Sequence, residues 1–249
     1  MNPTDHGSDG MPPGVHLLDT QELAHDWVRL SKTRFEWQTR DGRTLNTARE
    51  VYHLGNGASV LLYNRDQGTV LLTRQFRLPV WLQDGGDGQL IESCAGLIDP
   101  ADSPESCARR EVEEEMGLQV EHLQPVFQAY MSPGSVSQRL HLFCAEYTPG
   151  SAATRGGLAE EGEDIEVLEM PLQQAVDMVY DGRIQDGKTI MLLLHAALKG
   201  LDGLIQRRPE SESLGSPLVK NPDGRIVSHQ QPSLSDTTPR SNPTPQPIA

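Results

Sequence analysis

The chain has 249 residues, a formal net charge of −14, 36% hydrophobic residues and only 5% aromatic residues. This length allows one large domain or two small ones, and the low aromatic content indicates that part of the chain lies outside any core. The negative charge disfavours a nucleic acid as partner, because the phosphate backbone would be repelled. It is compatible with a phosphate ligand whose binding is assisted by a metal cation.

Both ends of the chain are poor in apolar side chains. Residues 1–14 are rich in Pro, Gly and Asp, and residues 201–249 contain no Phe, Trp or Tyr but eight of the 18 prolines. Such segments cannot bury enough apolar surface to offset the entropy of ordering them. We therefore expect one folded domain, residues 15–200, between a disordered N-terminal segment and a disordered Pro-rich tail.

Cysteine content and hydropathy bear on the compartment. Cys94, Cys107 and Cys144 form no C-x-x-C pair, and their odd number argues against a disulfide framework. No apolar run approaches the roughly 18–20 residues that cross a bilayer, and no signal segment opens the chain. We expect a cytoplasmic protein without a membrane partner.

Apolar and β-branched runs between turn residues predict strands along most of the chain. Asp41-Gly42 is a strong turn signal. In the run 138–147, Leu140, Leu142 and Cys144 share one face. The predicted strands are 34–38, 48–54, 58–63, 69–75, 89–94, one or two within 118–130, 138–147 and 165–170. Residues 21–30 are expected to form either a short helix or the approach to a strand.

Three helices are predicted in the second half of the chain. The first begins at Ser103-Pro104, with Ser as N-cap and Pro at the first helical position, and ends at Gly117 as a left-handed cap. Residues 171–181 and 189–198 carry apolar side chains at helical spacing. Many strands with a few late helices predict an α+β fold, in which a mixed sheet packs between helices.

The helix after Ser103 brings three carboxylates together. Glu111, Glu114 and Glu115 fall near one face, because residues three and four apart are neighbours on a helix. They repel one another and crowd the C-terminal end, where the helix dipole disfavours anions. A hard divalent cation that needs several oxygen ligands reverses both penalties. For this fragment alone, a solvated acidic face is the alternative.

The full spacing around this helix resembles the Nudix box, G-x5-E-x7-R-E-U-x-E-E-x-G-U, where U is a bulky apolar residue. Eight of the nine constrained positions match in register: Gly96, Arg110, Glu111, Val112, Glu114, Glu115, Gly117 and Leu118. The exception is Asp102, where the family has Glu. The resemblance implies the Nudix fold, an α/β/α sandwich with the box as a loop–helix–loop. Gly96, Arg110 and Gly117 would then be structural, and Asp102 would pair with Arg110 on a shorter stem.

The resemblance extends over residues 27–198 and points to the ADP-ribose/GDP-mannose pyrophosphatase branch of the family. The motifs are Arg49-Glu50-Val51-Tyr52, Gly55-Asn56-Gly57, Arg74-Gln75-Phe76-Arg77, Gln89-Leu90-Ile91-Glu92 with Ala95-Gly96, Tyr130-Met131-Ser132-Pro133-Gly134, Glu163-Asp164-Ile165-Glu166-Val167 and Asp186-Gly187-Lys188-Thr189. The run 89–96 and the late Asp-Gly-Lys-Thr are most similar to GDP-mannose pyrophosphatases. The resemblance thus implies metal-dependent hydrolysis of a nucleoside diphosphate sugar, with GDP-mannose giving GMP and mannose 1-phosphate as the favoured case.

The resemblance also assigns site residues. The metal ligands would be the carbonyl of Ala95 and the carboxylates of Glu111, Glu115 and Glu163, a set that suits Mg²⁺, with Mn²⁺ as the alternative ion. Glu114 would bind the metal or its water shell. The substrate-binding residues would be Trp27, Arg49, Glu50, Arg77, Gly96, Leu97, Gln138 and Lys188.

Individual roles follow from the same resemblance. Trp27 would place its ring against the ligand, although a core or hairpin tryptophan is an equal alternative. Arg77 would bind phosphate and Lys188 phosphate or sugar. Arg49 and Glu50 would contact the nucleotide from the neighbouring subunit of a homodimer.

Gln138 is the main departure from the family pattern. The loop normally carries a Glu that acts as base or orients water, whereas a carboxamide orients water but takes up no proton. Glu114 or Glu163 would then act as base, and Glu115 completes the expected catalytic set. Gly162 also replaces an acidic residue beside Glu163.

Other functions compatible with the box are an ADP-ribose diphosphatase, which releases AMP and ribose 5-phosphate, and a non-catalytic nucleotide-sensing Nudix module. The motifs outside the box disfavour a hydrolase of damaged nucleoside triphosphates.

Overall fold

The computed structural model describes residues 12–150, 152–153, 155–157, 164–205, 219–220 and 226–227. The chain divides into two units, residues 1–205 and residues 206–249. The described part of the second unit is a pair of short antiparallel strands, Val219–Lys220 and Ile226–Val227. All elements described below belong to the first unit.

Three antiparallel strands form an N-terminal sheet: β1 (Val15–His25), β2 (Arg29–Gln38) and β3 (Thr44–His53). The predicted turn at Asp41-Gly42 joins β2 to β3, and Gly42 has a φ of 83°, which favours glycine. Residues 21–30 belong to the paired ends of β1 and β2 and to the turn between them. The helix expectation for this stretch is wrong, because its backbone groups pair with a neighbouring strand rather than with each other.

A second, mixed sheet lies at the centre of the unit. Its strands in the described residues are β4 (Gly57–Asn64), β5 (Thr69–Phe76), β6 (Gln89–Glu92), β7 (Cys94–Leu97), β8 (Gln124–Tyr130), β9 (Arg139–Glu146), β10 (Arg155–Gly156) and β11 (Ile165–Pro171). The strand order is β10-β11-β5-β4-β9-β8, with β6 paired to β5 and β7 paired to β4. Only β4 and β9 run parallel among these pairs of described strands.

Helices cover the central sheet. Those in the described residues are α1 (Leu78–Asp84), α2 (Pro104–Met116), α3 (Leu172–Tyr180), α4 (Gly187–Lys199) and a 3₁₀ helix (Leu201–Ile205). The helices α2, α3 and α4 correspond to the three predicted ones. Helix α1 was not predicted, because this described seven-residue segment has no side-chain cap, no acidic first turn and no buried residue.

Two apolar clusters lie on opposite faces of the central sheet. Leu61 and Leu72 pack with α3 and α4 on one face, and Val60 and Leu71 pack with α2 on the other. Neighbouring strand residues alternate between the two clusters, as the pleat of a strand requires. Each fully buried aliphatic side chain stabilises the fold by about 1.5–3 kcal/mol. The predicted α+β class, a mixed sheet between helices, is therefore confirmed.

The folded unit continues past the expected boundary at residue 200. Leu201–Ile205 forms the 3₁₀ helix, and Leu204 is 3% exposed in the α3/α4 cluster.

None of the helices in the described residues combines the length and the apolar character of a membrane-spanning segment.

Candidate active site

Local signals fix the ends of α2. The Ser103 hydroxyl accepts a hydrogen bond from the Ser106 backbone N–H, and the Ser106 hydroxyl accepts one from Ser103 N–H. This reciprocal pair satisfies donors that a helix start leaves open. At the other end, Gly117 adopts φ 67° and ψ 22° and donates to the Glu113 carbonyl. The predicted start and end of the box helix are confirmed.

Strand β7 passes directly beneath α2, at Gly96. A Cβ atom placed on Gly96 would overlap the carboxyl group of Glu111. The Glu111 carboxylate therefore packs against bare backbone, one residue from the Ala95 carbonyl. Glycine at this position lets the helix bring a carboxylate to the strand.

The second carboxylate of the helix face, Glu115, is 3% exposed. Burial raises the pKa of the neighbouring Cys94 thiol well above its ordinary value, and Glu115 and Glu111 raise it further. Cys94 is thus protonated and donates a hydrogen bond to Glu115. Both carboxylates consequently face the strand that carries Ala95.

Arg110 connects the loop before α2 to these acidic groups. Its Nη1 lies 2.8 Å from Glu111 Oε1 and 3.0 Å from Glu114 Oε2. Its Nη2 donates to the Leu97 carbonyl at 3.2 Å. The Asp102 carboxylate lies 3.6 Å from Arg110 Nε, so the pairing expected for the shorter side chain is present. The arginine offsets the repulsion between the carboxylates and holds the box loop to the helix.

The donors at this point suit a hard divalent cation. The carbonyl of Ala95 and the carboxylates of Glu111 and Glu115 supply only oxygen. A carboxylate as buried as Glu115 is costly unless positive charge or hydrogen bonds offset the cost, and a cation beside it would do so. The described residues hold no group of three His, Cys, Asp or Glu side chains arranged for a metal. The remaining predicted ligand, Glu163, lies outside the described residues, as does Gly162.

The described residues that precede Glu163 lie against the end of α2. Gly157 N–H donates to the Glu114 carbonyl at 3.0 Å. A Cβ atom on Gly156 would overlap the backbone of Glu115, so this close approach requires glycine. Gly156 and Gly157 therefore lie beside the helix turn that carries Glu115.

A cavity of about 500 Å³ opens beside Glu111, a volume typical of small-molecule sites. Its lining residues are Trp27, Leu54, Arg77, Ala95, Gly96, Leu97, Asp99, Arg110, Glu111, Gln138, Leu140 and Lys188. Most of the predicted metal-binding and substrate-binding residues are among them. Leu54, Asp99 and Leu140 were not predicted, because neither charge pattern nor motif distinguishes them from ordinary loop and core residues.

Two cations of the cavity share one buried carboxylate, that of Glu92. Arg77 Nε donates to Glu92 Oε1 at 2.6 Å, and Lys188 Nζ donates to Glu92 Oε2 at 2.5 Å. Burial alone would raise the pKa of Glu92, but Lys188 and Arg77 hold that pKa below its ordinary value. Burial would likewise lower the pKa of Lys188, whereas Glu92 and Asp186 raise it. Glu92 and Lys188 are therefore both ionised at neutral pH.

The motif Asp186-Gly187-Lys188-Thr189 attaches the start of α4 to the central sheet. Asp186 caps the helix by accepting a hydrogen bond from Thr189 N–H at 3.0 Å. The Thr189 hydroxyl donates to Asp186 Oδ2 at 2.5 Å and accepts from Ser93 N–H at 2.6 Å. Lys188 thus binds Glu92, and Thr189 binds Ser93.

Neighbouring hydrogen bonds hold Gln138 at the cavity. Ser137 N–H donates to the Tyr52 carbonyl at 3.2 Å, and Arg139 N–H donates to Asn56 Oδ1 at 3.1 Å. These contacts connect the strand end of β3 and the Gly55-Asn56-Gly57 loop to the residues on either side of Gln138. The carboxamide is therefore presented to the cavity by a fixed backbone.

The N-terminal sheet contributes to the cavity in part. Trp27, in the turn between β1 and β2, is 75% exposed and lines the cavity. Arg49 and Glu50, on β3, are exposed and are not among its lining residues. The Arg49 side chain instead donates to the Ala48 carbonyl at 2.8 Å. In the single chain that the structure describes, these two residues do not line the cavity with the other predicted site residues.

Comparison with known families agrees with this geometry. Residues 53–193 match the NUDIX domain, which covers α2 and the cavity residues of the central sheet. The chain therefore belongs to the Nudix family of hydrolases. Residues 14–52, the segment of the N-terminal sheet, match the family described as the GDP-mannose pyrophosphatase NudK N-terminal domain.

Individual relatives are similar over nearly their whole length. The GDP-mannose pyrophosphatase of Pectobacterium atrosepticum is 47% identical over 190 residues, covering 76% of this chain and 97% of the relative. The protein of the same name from Yersinia enterocolitica is 50% identical over 187 residues, covering 75% and 97%. That from Yersinia pestis is 50% identical over 184 residues, covering 74% and 92%.

Proposed function

We propose that this protein hydrolyses the diphosphate bond of GDP-mannose and releases GMP and mannose 1-phosphate. The observation that carries the proposal is the cavity, in which Glu111 and the Ala95-Gly96 backbone occur together with Arg77 and Lys188. Oxygen ligands for a cation beside two side-chain cations suit a diphosphate, which binds both. The similarity to GDP-mannose pyrophosphatases along both the N-terminal sheet and the Nudix domain favours this nucleotide sugar over ADP-ribose.

Family membership implies use of a divalent metal ion, and we propose Mg²⁺, with Mn²⁺ as a substitute. Ala95, Glu111 and Glu115, with Glu163, would hold it. When bound, the ion supplies positive charge that neutralises the diphosphate and polarises its phosphorus–oxygen bonds. The close packing of Glu111 on Gly96 fixes one ligand before the ion arrives, which lowers the entropy lost on binding.

The protein side chains would divide the remaining tasks. Arg77 and Lys188 bind phosphate oxygens, and the ring of Trp27 covers the ligand. Gln138 orients the attacking water through its carbonyl oxygen, and a carboxylate, Glu114 or Glu163, removes the proton. Glu114 is supported in this role by Arg110, which holds its carboxylate at 3.0 Å on the helix face shared with Glu111. Gly96 and Leu97 line the same cavity and complete the substrate contacts.

The proposal includes a homodimer in which Arg49 and Glu50 reach the partner's cavity. Their exposure, and their absence from the lining of the cavity in the described chain, support this arrangement. Exposed apolar side chains on the same sheet suit an interface: Leu17, Leu18, Leu23, Trp37 and Leu45. Sedimentation at micromolar concentration tests the dimer, and a monomer there would contradict it.

The proposed compartment is the cytoplasm. Cys94, Cys107 and Cys144 are free and buried in the structure, which suits a reducing environment. Immunodetection after cell fractionation tests the location, and recovery in a membrane or secreted fraction would contradict it.

A substrate panel tests the function directly. The protein is incubated with GDP-mannose, ADP-ribose and other nucleotide sugars, each with Mg²⁺ or with EDTA, and the products are identified by mass. We expect the highest kcat/KM for GDP-mannose, formation of GMP and mannose 1-phosphate, and loss of turnover in EDTA. A higher kcat/KM for ADP-ribose would replace the substrate, and nucleotide binding without any turnover would favour a sensor.

A further inference from the structure

The Glu92 side chain is only 5% exposed and does not line the cavity, yet it contacts two residues that do. One of its oxygens accepts from Arg77 and the other from Lys188. These partners come from different parts of the fold, since Arg77 precedes α1 and Lys188 lies in the first turn of α4. The carboxylate therefore sets the distance between two cations that are neither close in sequence nor on the same helix.

Two further contacts prevent Glu92 from shifting. The next residue, Ser93, donates its backbone N–H to the Thr189 hydroxyl at 2.6 Å. Its own hydroxyl lies 2.8 Å from the Ser59 hydroxyl, on the neighbouring strand β4. The Lys188 ammonium also lies 3.0 Å from the Asp186 carboxylate, at the cap of α4. The carboxylate and both cations are thus held by buried partners on several sides.

We propose that Glu92 is a positioning residue for the reaction: it holds Arg77 and Lys188 at one fixed separation, so that together they bind the oxygens of a diphosphate-bridged substrate. This inference rests on the proposed function, because it assigns the two cations to the diphosphate. Glu92 itself touches no substrate. Its contribution is to remove the freedom of two long side chains before the ligand binds, which lowers the entropy lost on binding.

The charge balance explains why a carboxylate is needed there. Lys188 is almost fully buried, and without Glu92 it would keep Asp186 as its acidic partner among the described contacts. A neutral amide at position 92 has one oxygen and one NH₂ group. Its oxygen can accept a hydrogen bond from one cation, but its NH₂ group faces the other cation with a donor instead of an acceptor. A carboxylate accepts from both.

The experiment measures binding and turnover separately in the full-length protein. GDP-mannose binding is measured by calorimetry in EDTA, where turnover is not expected, and kcat and KM are measured with Mg²⁺. We expect Glu92→Gln to weaken binding in EDTA roughly tenfold and to lower kcat/KM by a larger factor. Glu146→Gln is the matched control: it removes the carboxylate of an exposed arginine pair, with Arg65, and is expected to change neither quantity.

A double-mutant cycle separates positioning from a purely structural role. If Glu92 acts through Lys188, then Glu92→Gln costs less binding in a Lys188→Met background than in the wild type. Equal costs in both backgrounds would overturn the proposal. Should Glu92→Gln fail to fold, Glu92→Asp serves instead: it keeps the charge but is too short to reach both cations, and wild-type affinity in this variant would also overturn the proposal.

The same measurements distinguish this inference from the proposed function. If the wild-type protein binds GDP-mannose in EDTA but does not turn it over with Mg²⁺, the proposed function is contradicted. The binding affinities of the Glu92 variants would then still test the positioning role. If the wild-type protein is active and Glu92→Gln binds GDP-mannose as tightly as the wild type does, only the positioning role is contradicted. An absence of wild-type binding and turnover would contradict both.

Discussion

The carboxylate of Glu111 rests on the backbone of Gly96, where no side chain fits between helix α2 and strand β7. This contact couples the fold to the chemistry, because the same approach brings an acidic oxygen beside the Ala95 carbonyl. A methyl group at position 96 would push Glu111 outward, and the two oxygen donors would separate.

Gly96→Ala is therefore expected to lower kcat by about 10²-fold, since misplacement of a catalytic group by roughly 1 Å has an effect of this order. The measurement is steady-state turnover of GDP-mannose together with the Mg²⁺ concentration for half-maximal rate, which should rise. Gly203→Ala is the control, because a Cβ there makes an ordinary 3.5 Å contact with Lys199 Cβ. Wild-type turnover in Gly96→Ala would contradict the packing argument.

The acidic face of α2 offers a graded test of metal binding. Glu111→Gln and Glu115→Gln each remove one charged oxygen donor that faces β7, and we expect each to reduce kcat by roughly 10²–10³-fold. Glu113→Gln is the matched control, since Glu113 lies on the same helix but is exposed. Titration of Mn²⁺ or Mg²⁺ by calorimetry gives a second readout, and undiminished ion affinity in Glu111→Gln would remove this residue from the ligand set.

Gln138 decides whether the reaction needs a base at that position. We expect Gln138→Ala to lower kcat, because the water loses its orienting carbonyl, and Gln138→Glu to change it by less than about tenfold. The comparison requires kcat across a range of pH at saturating metal. A gain of several orders of magnitude in Gln138→Glu would show that the natural side chain impairs the enzyme.

Much of the fold follows from short-range patterns in the sequence. Alternation in 138–147 correctly placed Leu140, Leu142 and Cys144 in one cluster, because burial of one strand face is visible at a period of two. Ser103 and Gly117 marked the ends of α2, because capping depends on residues within one turn. The seven-residue α1 has Pro in its first turn and Gly85 at its end, but it has no side-chain cap and no buried face that would distinguish it from a turn.

The site was predictable where a motif has a fixed spacing and not where partners are distant in sequence. The box residues are close in sequence, so their spacing alone placed Glu111 and Glu115 on one helix face. Glu92 lies inside a recognised motif, but its role depends on partners 15 and 96 residues away. No local pattern around Glu92 indicates that its two oxygens bind two different cations.

The cap of α4 is expected to contribute measurably to stability. Thr189→Val removes a hydroxyl that satisfies the buried Ser93 N–H and Asp186, so the free energy of unfolding should fall by about 1–3 kcal/mol. Urea denaturation followed by circular dichroism measures the change. Thr189→Ser keeps the hydroxyl and is expected to retain most of the stability, and equal losses in both variants would attribute the effect to packing.

The free energy of unfolding at low pH tests whether the buried Glu92 carboxylate is ionised in the folded protein. Its pKa is held below the ordinary value of 4.5 by Lys188 and Arg77, so the folded protein binds this proton less readily than the unfolded chain does. The associated stability is fully present above the unfolded pKa and is lost as the pH falls through the folded pKa. Between pH 7 and pH 3 the wild type should therefore lose more unfolding free energy than Glu92→Gln, as measured by urea denaturation at each pH. Parallel pH dependences in the two proteins would mean that the buried carboxylate is not stabilised in its ionised form by its two cations.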